Sequence, residues 1–542
     1  MINNVTLVAV NSKYIHQSLG IYYLKSYARR DDINLIETNI NVDTDKIIEK
    51  ILKTNPSLVG FSCYIFNIEK VLEIAKKLRE VSSTRIFFGG PEASYENDYL
   101  LDYCDQIIEG PGEKPFVKIL NGDKSPKIQG EMVENPLEYS PYTKEYFQNA
   151  EGKISYFEAS RGCPFTCNYC MSSKDKLQLF DIDLVKKELL KFKGSKVKIL
   201  KFVDRTFNAK ESYTNEILQF LIDNFSDDDI IFHFEIAPDI VKESTLKIIG
   251  SARTHLFQFE AGIQTFNDSV LKCTHRKSNI AKAVENLKTL LSFKNCHIHS
   301  DLIIGLVSEN MDSLRNSFNC LYNIWTNQMQ VGILKVLKGS PLKENQGDGY
   351  VFEKTPPYEV ISTPTMTKEE IDLGKKLAYL IDKYYNTNRF YKTLRYLSVN
   401  HEPYLMFKSL AERVDYSDGV FVLYEQLLSV TKEYNENLDL INELLKFDYL
   451  SSNNSKNLPP CIKREFSKEF KKITNKYKIG NEFSYLFRYN PVTLEKGNYV
   501  IYFDYLTKDP ITLLYKSRIL EYDKLKEEFY LEEENLKNSK NK

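Results

Sequence analysis

The residues best equipped for chemistry lie in one short run, Ser160-Arg161-Gly162-Cys163-Pro164-Phe165-Thr166-Cys167-Asn168-Tyr169-Cys170, where three cysteines follow the pattern CxxxCxxC. Thiolates at such spacings can ligate iron, and three of them on a 4Fe-4S cube leave one iron open to a further ligand. That open position is the catalytic opportunity. A zinc loop completed by a distant His or Cys is the competing metal reading, but structural zinc takes four closed ligands, often from paired CxxC knuckles. No second knuckle occurs in the sequence. Three unrelated buried cysteines are a poorer reading still, because Gly162 and Pro164 shape the loop that carries them.

The remaining cysteines, at 63, 104, 273, 296, 320 and 461, are thinly spread, and a total of nine with one tight cluster reads as metal chemistry in a reducing compartment. Lys and Arg number 73 against 74 Asp and Glu, a net charge of -1, so no global basic field draws the chain to nucleic acid or anionic lipid. No stretch approaches the ~20 apolar residues of a membrane span. The start, Met1 to Val10, lacks the basic flank, long apolar core and cleavage site of a signal peptide. A soluble, cytoplasmic protein is expected. The 542 residues are enough for several domains, and 36 Tyr with 32 Phe favour thick cores and ring-stacking surfaces.

The elements that must position the cysteine loop show as a repeated βα rhythm. Over residues 1–120, Val5 to Val10, Ile33 to Glu37, Leu58 to Ser62, Ile86 to Gly89 and Gln106 to Glu109 read as five parallel strands. Amphipathic segments such as Ile68 to Glu80, with Val71, Leu72, Ala75 and Leu78, separate them, so the expected fold is α/β with a doubly wound, Rossmann-like sheet. Residues 121–150, with Pro126, Pro136 and Pro141 among polar neighbours, read as a linker. Over 151–345 the rhythm restarts with strands at Ile154 to Ser160, Val197 to Val203, Ile231 to Ile236, Leu256 to Gly262, His297 to Ile304 and Val331 to Val336. Six units fall short of a closed (β/α)8 barrel, so a partial (β/α)6 barrel is expected. Residues 346–542 read as a mostly helical α+β domain: Thr367 and Glu370 fit a capping box for a helix through Tyr385, further helices follow to about 478, and Phe483 to Tyr489 pairs with Tyr499 to Tyr505. The charged tail Asp523 to Lys542 reads as fraying.

The cysteine loop, its place after the first strand of a six-unit βα domain, and Tyr169 before the last cysteine resemble the radical S-adenosylmethionine (SAM) superfamily. The resemblance implies that Cys163, Cys167 and Cys170 hold a 4Fe-4S cluster. SAM would chelate the open iron through its amino and carboxylate groups, and one electron would release a 5′-deoxyadenosyl radical. It implies SAM contacts for Tyr169 near adenine, Asp204 after the second strand, Glu260 and Gln264 on the fourth, and Ile304, in a segment whose backbone brackets adenine, on the fifth. Taken by itself, Asp204 reads equally well as a helix cap, and a buried Glu260 needs a partner. The chain departs from the family where Val307-Ser308 replaces the more typical Pro-Gly before Glu309, which leaves that turn open. His275, His297 and His299 read as structural.

The N-terminal strand ends carry Asn11-Ser12-Lys13-Tyr14, Ser62-Cys63-Tyr64, Gly89-Gly90-Pro91-Glu92 and Glu109-Gly110-Pro111-Gly112-Glu113. Small residues and polar side chains at these positions suit the close approach of a large planar ligand. There is no GxGxxG fingerprint after the first strand, although a nucleotide-binding or purely structural domain stays open on residues alone. With the downstream cysteine loop, the arrangement resembles the cobalamin-binding domain of one branch of the superfamily. That implies cobalamin contacts from Asn11, Ser12, Ser62, Cys63, Tyr64, Gly89, Gly90, Pro91, Glu92, Glu109, Gly110, Gly112 and Glu113. Cys63 reads alternatively as a small buried hydrophobe. The Asp-x-His-x-x-Gly signature is missing and His16 lacks its pattern, so cobalamin without a protein histidine as lower ligand is expected.

The C-terminal 195 or so residues look like the uncharacterised domain that follows the radical domain in one subset of these proteins. The resemblance implies a cobalamin-dependent radical SAM enzyme, with methylation of an unactivated carbon as the leading reaction. Radical cyclisation, ring contraction or oxidation without methyl transfer is the alternative with the same cofactors, and a cofactor-binding sensor is the alternative of another class. The expected partners are a substrate, with a small molecule favoured over nucleic acid, and a one-electron reductant such as flavodoxin or ferredoxin.

Overall fold

Val5–Asn11 (β1) is a run of apolar and β-branched residues, buried through Val10, as a central strand covered on both faces must be. In the computed structural model, which describes residues 2–345, 349–454, 457–462 and 467–540, it pairs in parallel with Ile33–Asn39 (β2) and Leu58–Ser62 (β3). The sheet continues through Arg85–Gly89 (β4), Gln106–Glu109 (β5) and Lys127–Gln129 (β6), giving the parallel order β2-β1-β3-β4-β5-β6. The order reverses between β1 and β3, so the loops leaving those strands part and leave a crevice at their carboxyl ends. Asn67 spans it, its amide donating to the carbonyls of Val10 and Ser62, each at 2.9 Å. Helix Ile68–Val81 buries Val71, Ile74, Ala75 and Leu78 against Phe61, Phe88 and Ile107. Leu72, expected on this face, packs half-buried against the same core.

The segment 121–150 is not the bare linker expected. It supplies β6, and helix Lys144–Gln148 brings Tyr146 into full burial, where its carbonyl accepts a bond from Gln17 at 2.8 Å. Aromatic packing overrides the proline content here, because Tyr142 stacks on Phe157 and meets Tyr146 edge-on, and Tyr146 meets Phe192 edge-on.

Six parallel strands build the second sheet: Ile154–Phe157 (β7), then, beyond a short antiparallel ribbon of Ser160–Arg161 (β8) and Gln178–Leu179 (β9), Ile199–Phe202 (β10), Ile231–Ile236 (β11), Phe257–Gln264 (β12), His297–Ile304 (β13) and Gln328–Ile333 (β14). Their order is β14-β13-β12-β11-β10-β7, a partial barrel with no pairing of its end strands among the described residues. Alternation is strict on β12: Phe257, Phe259, Ala261 and Ile263 are buried under the helices, while Gln258, Glu260, Gly262 and Gln264 face the other way. The β7 edge is occupied by the loop after β1, where Ile154 N donates to Ile15 O at 2.6 Å and Gln17 N to Ile154 O at 3.2 Å.

Two compact units divide the chain, residues 1–311 with 333–371 and residues 312–332 with 372–542. The first holds the doubly wound domain, strands β7 to β13 and a small antiparallel pair, Val351–Phe352 (β15) and Val360–Ser362 (β16). It also contains the expected capping box, Thr367 N donating to Glu370 at 2.8 Å and Glu370 N to Thr367 Oγ1 at 3.3 Å. In the second unit, helix Tyr391–Asn400 is capped by Asp448 of helix Leu438–Ser452, which accepts from the amides of Lys392 and Thr393 at 2.8 and 2.9 Å. Phe483–Tyr489 (β17), Lys496–Lys508 (β18) and Tyr515–Glu521 (β19) form an antiparallel meander, one strand more than expected. The tail is also a correction. Residues 522–540 form a helix, Tyr522–Lys540, because Tyr522, Leu525 and Phe529 recur at helical spacing and pack on Phe470, Val500 and Tyr502; residues 541 and 542 lie outside the described residues.

Candidate functional site

The cysteine loop leaves β8 through Gly162, whose φ is +77°. A Cβ there would lie 2.2 Å from the Lys176 carbonyl oxygen, so glycine alone lets the two limbs of the loop meet. Cys163 N donates to Asp175 O at 3.2 Å, and Cys170 N donates to Cys167 O at the same distance. Asn168 at the tip is fixed from both sides, its amide donating to Thr274 O at 3.0 Å and its carbonyl accepting from Leu342 N at 2.7 Å. Around the sulfurs, Thr206 Oγ1 is 3.4 Å from Cys163 Sγ, and Arg276 Nη1 is 3.8 Å from Cys167 Sγ while its Nη2 donates to Gly262 O at 2.7 Å.

Cys163, Cys167, Cys170 and Tyr169 line one wall of a cavity of about 200 Å³, and Glu235, Glu260, Gln264, Asp301, Arg205 and Arg276 line the rest. Strand alternation aims Glu235, Glu260, Gln264 and Asp301 inward from β11, β12 and β13, while Arg205 and Arg276 come from loops. Glu260 has the partners its burial demands: it accepts from Lys201 Nζ at 3.0 Å and His233 Nε2 at 3.1 Å, and these contacts hold its carboxyl at about 2. Asp301 is the opposite case. Burial, with the Glu260 and Glu235 carboxylates nearby, pushes it up to about 8, and its Oδ1 is buried with no hydrogen-bond partner. Burial raises the Glu235 carboxyl and the Cys170 thiol as well. Gln264 reaches the cavity from a backbone with φ +71°, and its Nε2 lies close over Gly262, 2.6 Å from where a Cβ would stand.

Two expected SAM contacts sit behind the wall. Asp204 is fully buried, accepting from Ala159 N at 3.1 Å and from the Ser160 hydroxyl, so it fixes the base of the cysteine loop. Ile304 is buried at the end of β13, its carbonyl accepting from Leu334 N at 2.9 Å. The turn left open by Val307-Ser308 is formed with Ser308 at φ +66°, a conformation glycine adopts without strain, and Gly305 N donates to Glu309 at 2.9 Å.

The thirteen residues of the N-terminal strand ends gather along the carboxyl edge of the first sheet. Asn11, Ser12, Ser62, Tyr64, Gly89 and Gly90 are half-buried there, as are Glu109 and Gly112, while Pro91 and Gly110 are exposed. Ser94 ties two of the loops together, donating to Gly90 O at 2.9 Å and accepting from Gly110 N at 3.0 Å. Cys63 presents only backbone, because its side chain is wholly inside the core. Glu92 and Glu113 are also buried, each in an ion pair: Lys338 Nζ lies 2.7 Å from Glu92, and Arg161 Nη2 lies 2.7 Å from Glu113. His16 Nδ1 is 2.6 Å from the Tyr156 hydroxyl.

Sequence reasoning missed Glu235, Asp301, Arg205, Thr206 and Arg276 as cavity residues. Period-two alternation on β11 and β13 carried a signal for the two acids, whereas Arg276 reaches the site from a loop with no periodicity to read.

Residues 5–120 match the B12 binding domain, 157–321 the radical SAM superfamily, and 348–524 a protein family of unknown function, DUF4080. The chain therefore joins a B12-binding domain to a radical SAM domain and ends in a domain of unknown function. It is 22% identical over 426 residues to 2-(S-pantetheinyl)-carbapenam-3-carboxylate methyltransferase of Streptantibioticus cattleyicolor, and 20% identical over 423 residues to the cobalamin-dependent radical SAM methyltransferase TokK of Streptomyces tokunonensis. Each match covers 69% of this chain and 61% of the relative, so the chain spans about three-fifths of their length. Among solved structures, the cobalamin-dependent SAM radical enzyme OxsB with aqua-cobalamin and SAM bound superposes with a TM-score of 0.56 at 14% identity, over 83% of this chain and 79% of that one, a likeness of fold. Among the described residues no helix is long and apolar enough to cross a membrane.

Proposed function

We propose that this chain is a cobalamin-dependent radical SAM methyltransferase acting on an unactivated carbon of a small molecule. One observation carries the reading: three free cysteines and a buried, unpartnered carboxyl oxygen line the same cavity at the mouth of a partial barrel. The residues fit the groups they would hold. Among the described residues no three His, Cys, Asp or Glu side chains are grouped to hold a single metal ion. A 4Fe-4S cube asks for something else, taking each thiolate on a different iron, and Cys163, Cys167 and Cys170 on one wall of the same cavity would supply three such thiolates. Bound there, the cluster and SAM would supply a 5′-deoxyadenosyl radical, and methylcobalamin the methyl group.

The chain's own work is binding, orientation and exclusion of water. Tyr169, Glu260 and Gln264 would line the SAM site, with Glu235 and Asp301 as acceptors for ammonium and hydroxyl groups and Arg276 as the donor to a carboxylate. Asp204 and Ile304 support that wall from behind. The strand ends from Asn11 to Gly112 would carry cobalamin, with Cys63 offering backbone groups and with Glu92 and Glu113 held behind them in their ion pairs. Cobalamin would be held without a protein histidine as lower ligand, because the Asp-x-His-x-x-Gly signature is missing from the sequence. A one-electron donor of the flavodoxin or ferredoxin class and a cytoplasmic setting complete the proposal, consistent with nine free cysteines.

The test is anaerobic SAM cleavage by the reconstituted chain with dithionite as reductant. The wild type is expected to release 5′-deoxyadenosine and Cys163→Ala none above background. Equal release by a Cys163→Ala protein free of iron would overturn the assignment.

A further inference from the structure

The two glutamates that close the glycine-bearing loops do not face the crevice. Glu92, after Gly89-Gly90-Pro91, pairs with Lys338 at 2.7 Å and accepts from the Tyr358 hydroxyl, and Lys338 also donates to the Tyr99 hydroxyl at 3.1 Å. All of Glu92, Lys338 and Tyr358 are less than a tenth exposed. Glu113, after Gly110-Pro111-Gly112, pairs at 2.7 Å with Arg161, whose Nε and Nη2 also reach Glu158, each at 3.1 Å. Arg161 stands two residues before Cys163, and the Arg161 guanidinium also lies over the Tyr23 ring, 5.5 Å from its centroid. Lys338 and Arg161 both belong to the barrel side of the same compact unit. A charge removed from water at these sites is tolerated only while its partner stays in place, so each pair holds a fixed geometry rather than a loose contact.

We propose that Glu92 and Glu113 are positioning residues, whose buried pairs with Lys338 and Arg161 lock the two glycine-bearing loops to the barrel and to the base of the cysteine loop. They would set where a ligand on the N-terminal crevice stands relative to the cavity, without touching that ligand. The inference rests on the cobalamin reading only for the identity of the ligand; the locking itself does not depend on it.

The test uses the full chain and two readouts. Hydrogen exchange of the cofactor-free protein is compared for wild type, Arg161→Met, Arg161→Lys and Lys338→Met, and hydroxocobalamin retention is measured beside iron after reconstitution. Arg161→Met is expected to speed exchange at 161–170 and 113–116 by about tenfold or more, and Lys338→Met to do so at 89–94, with strands of the second unit unchanged. Arg161→Lys should fall between wild type and Arg161→Met. Corrinoid affinity should drop about tenfold in both methionine variants while iron is kept, a response expected of positioning residues rather than cluster ligands. If Arg161→Met unfolds throughout, Glu113→Gln, which keeps the shape and removes the charge, takes its place. Exchange within about twofold of wild type in both loops would overturn the inference. A wild type that binds no corrinoid yet shows the predicted loop exchange would instead overturn the cobalamin reading and leave the lock standing.

Discussion

Asp301 and Glu260 stand on the same face of neighbouring strands and have opposite electrostatics. Glu260 is paired twice and stays ionised, whereas Asp301 has burial and two nearby carboxylates against it and no partner for Oδ1. The difference has a measurable consequence in the cofactor-free chain. Raised from 3.8 to about 8, Asp301 keeps its proton in the folded state over a range where the unfolded state has lost it. Folded protein then binds more protons, so this group makes stability fall as pH rises from about 4 to about 8, at up to about 1.4 kcal/mol per pH unit. Asp301→Asn removes that slope. Urea unfolding at pH 6 and pH 8 should show the variant gaining on wild type by more than about 1 kcal/mol between the two, and an equal difference at both pH values would contradict the assignment. At this scale the sequence speaks through the cysteines, whose spacing is a chemical statement in itself, while Glu260 and Gln264, which line the cavity, are expected only from the resemblance. It was silent on Arg276 and on the engagement of Glu92 and Glu113, because ion pairs between segments some 50 to 250 residues apart leave no local pattern.

Elements were readable wherever one periodicity ruled the segment. The strict alternation on β12 and the continuous apolar run of β1 each match the strand found, and the Thr367 to Glu370 box closes as its spacing predicts. Two segments went the other way. The prolines of residues 121–150 suggest a linker, yet Tyr142 and Tyr146 anchor the segment in an aromatic core. The acidic and basic residues of the tail masked the stripe of Tyr522, Leu525 and Phe529 that holds helix Tyr522–Lys540 in place. That stripe predicts a stability effect: Phe529→Ala should destabilise the C-terminal unit by about 3 kcal/mol, the lower end for a buried aromatic truncation, seen as an earlier unfolding midpoint. A change below about 0.5 kcal/mol would mean that the helix adds nothing to the core.

For the whole molecule, the division into a doubly wound domain, a partial barrel and a mostly helical C-terminal region was legible from the spacing of strands and helices. The firm association of the first two in one compact unit was not, since it depends on the Ile15 to Gln17 pairing with β7 and on the buried pairs at Arg161 and Lys338. The central claim is that this unit carries two cofactors for one reaction. It is tested most directly by anaerobic reconstitution with iron, sulfide and hydroxocobalamin, followed by counting iron and corrinoid per chain after gel filtration. About four irons and about one corrinoid per chain are expected. About four irons with no retained corrinoid would contradict it, leaving the barrel as a radical SAM domain and the N-terminal sheet without the ligand assigned to it.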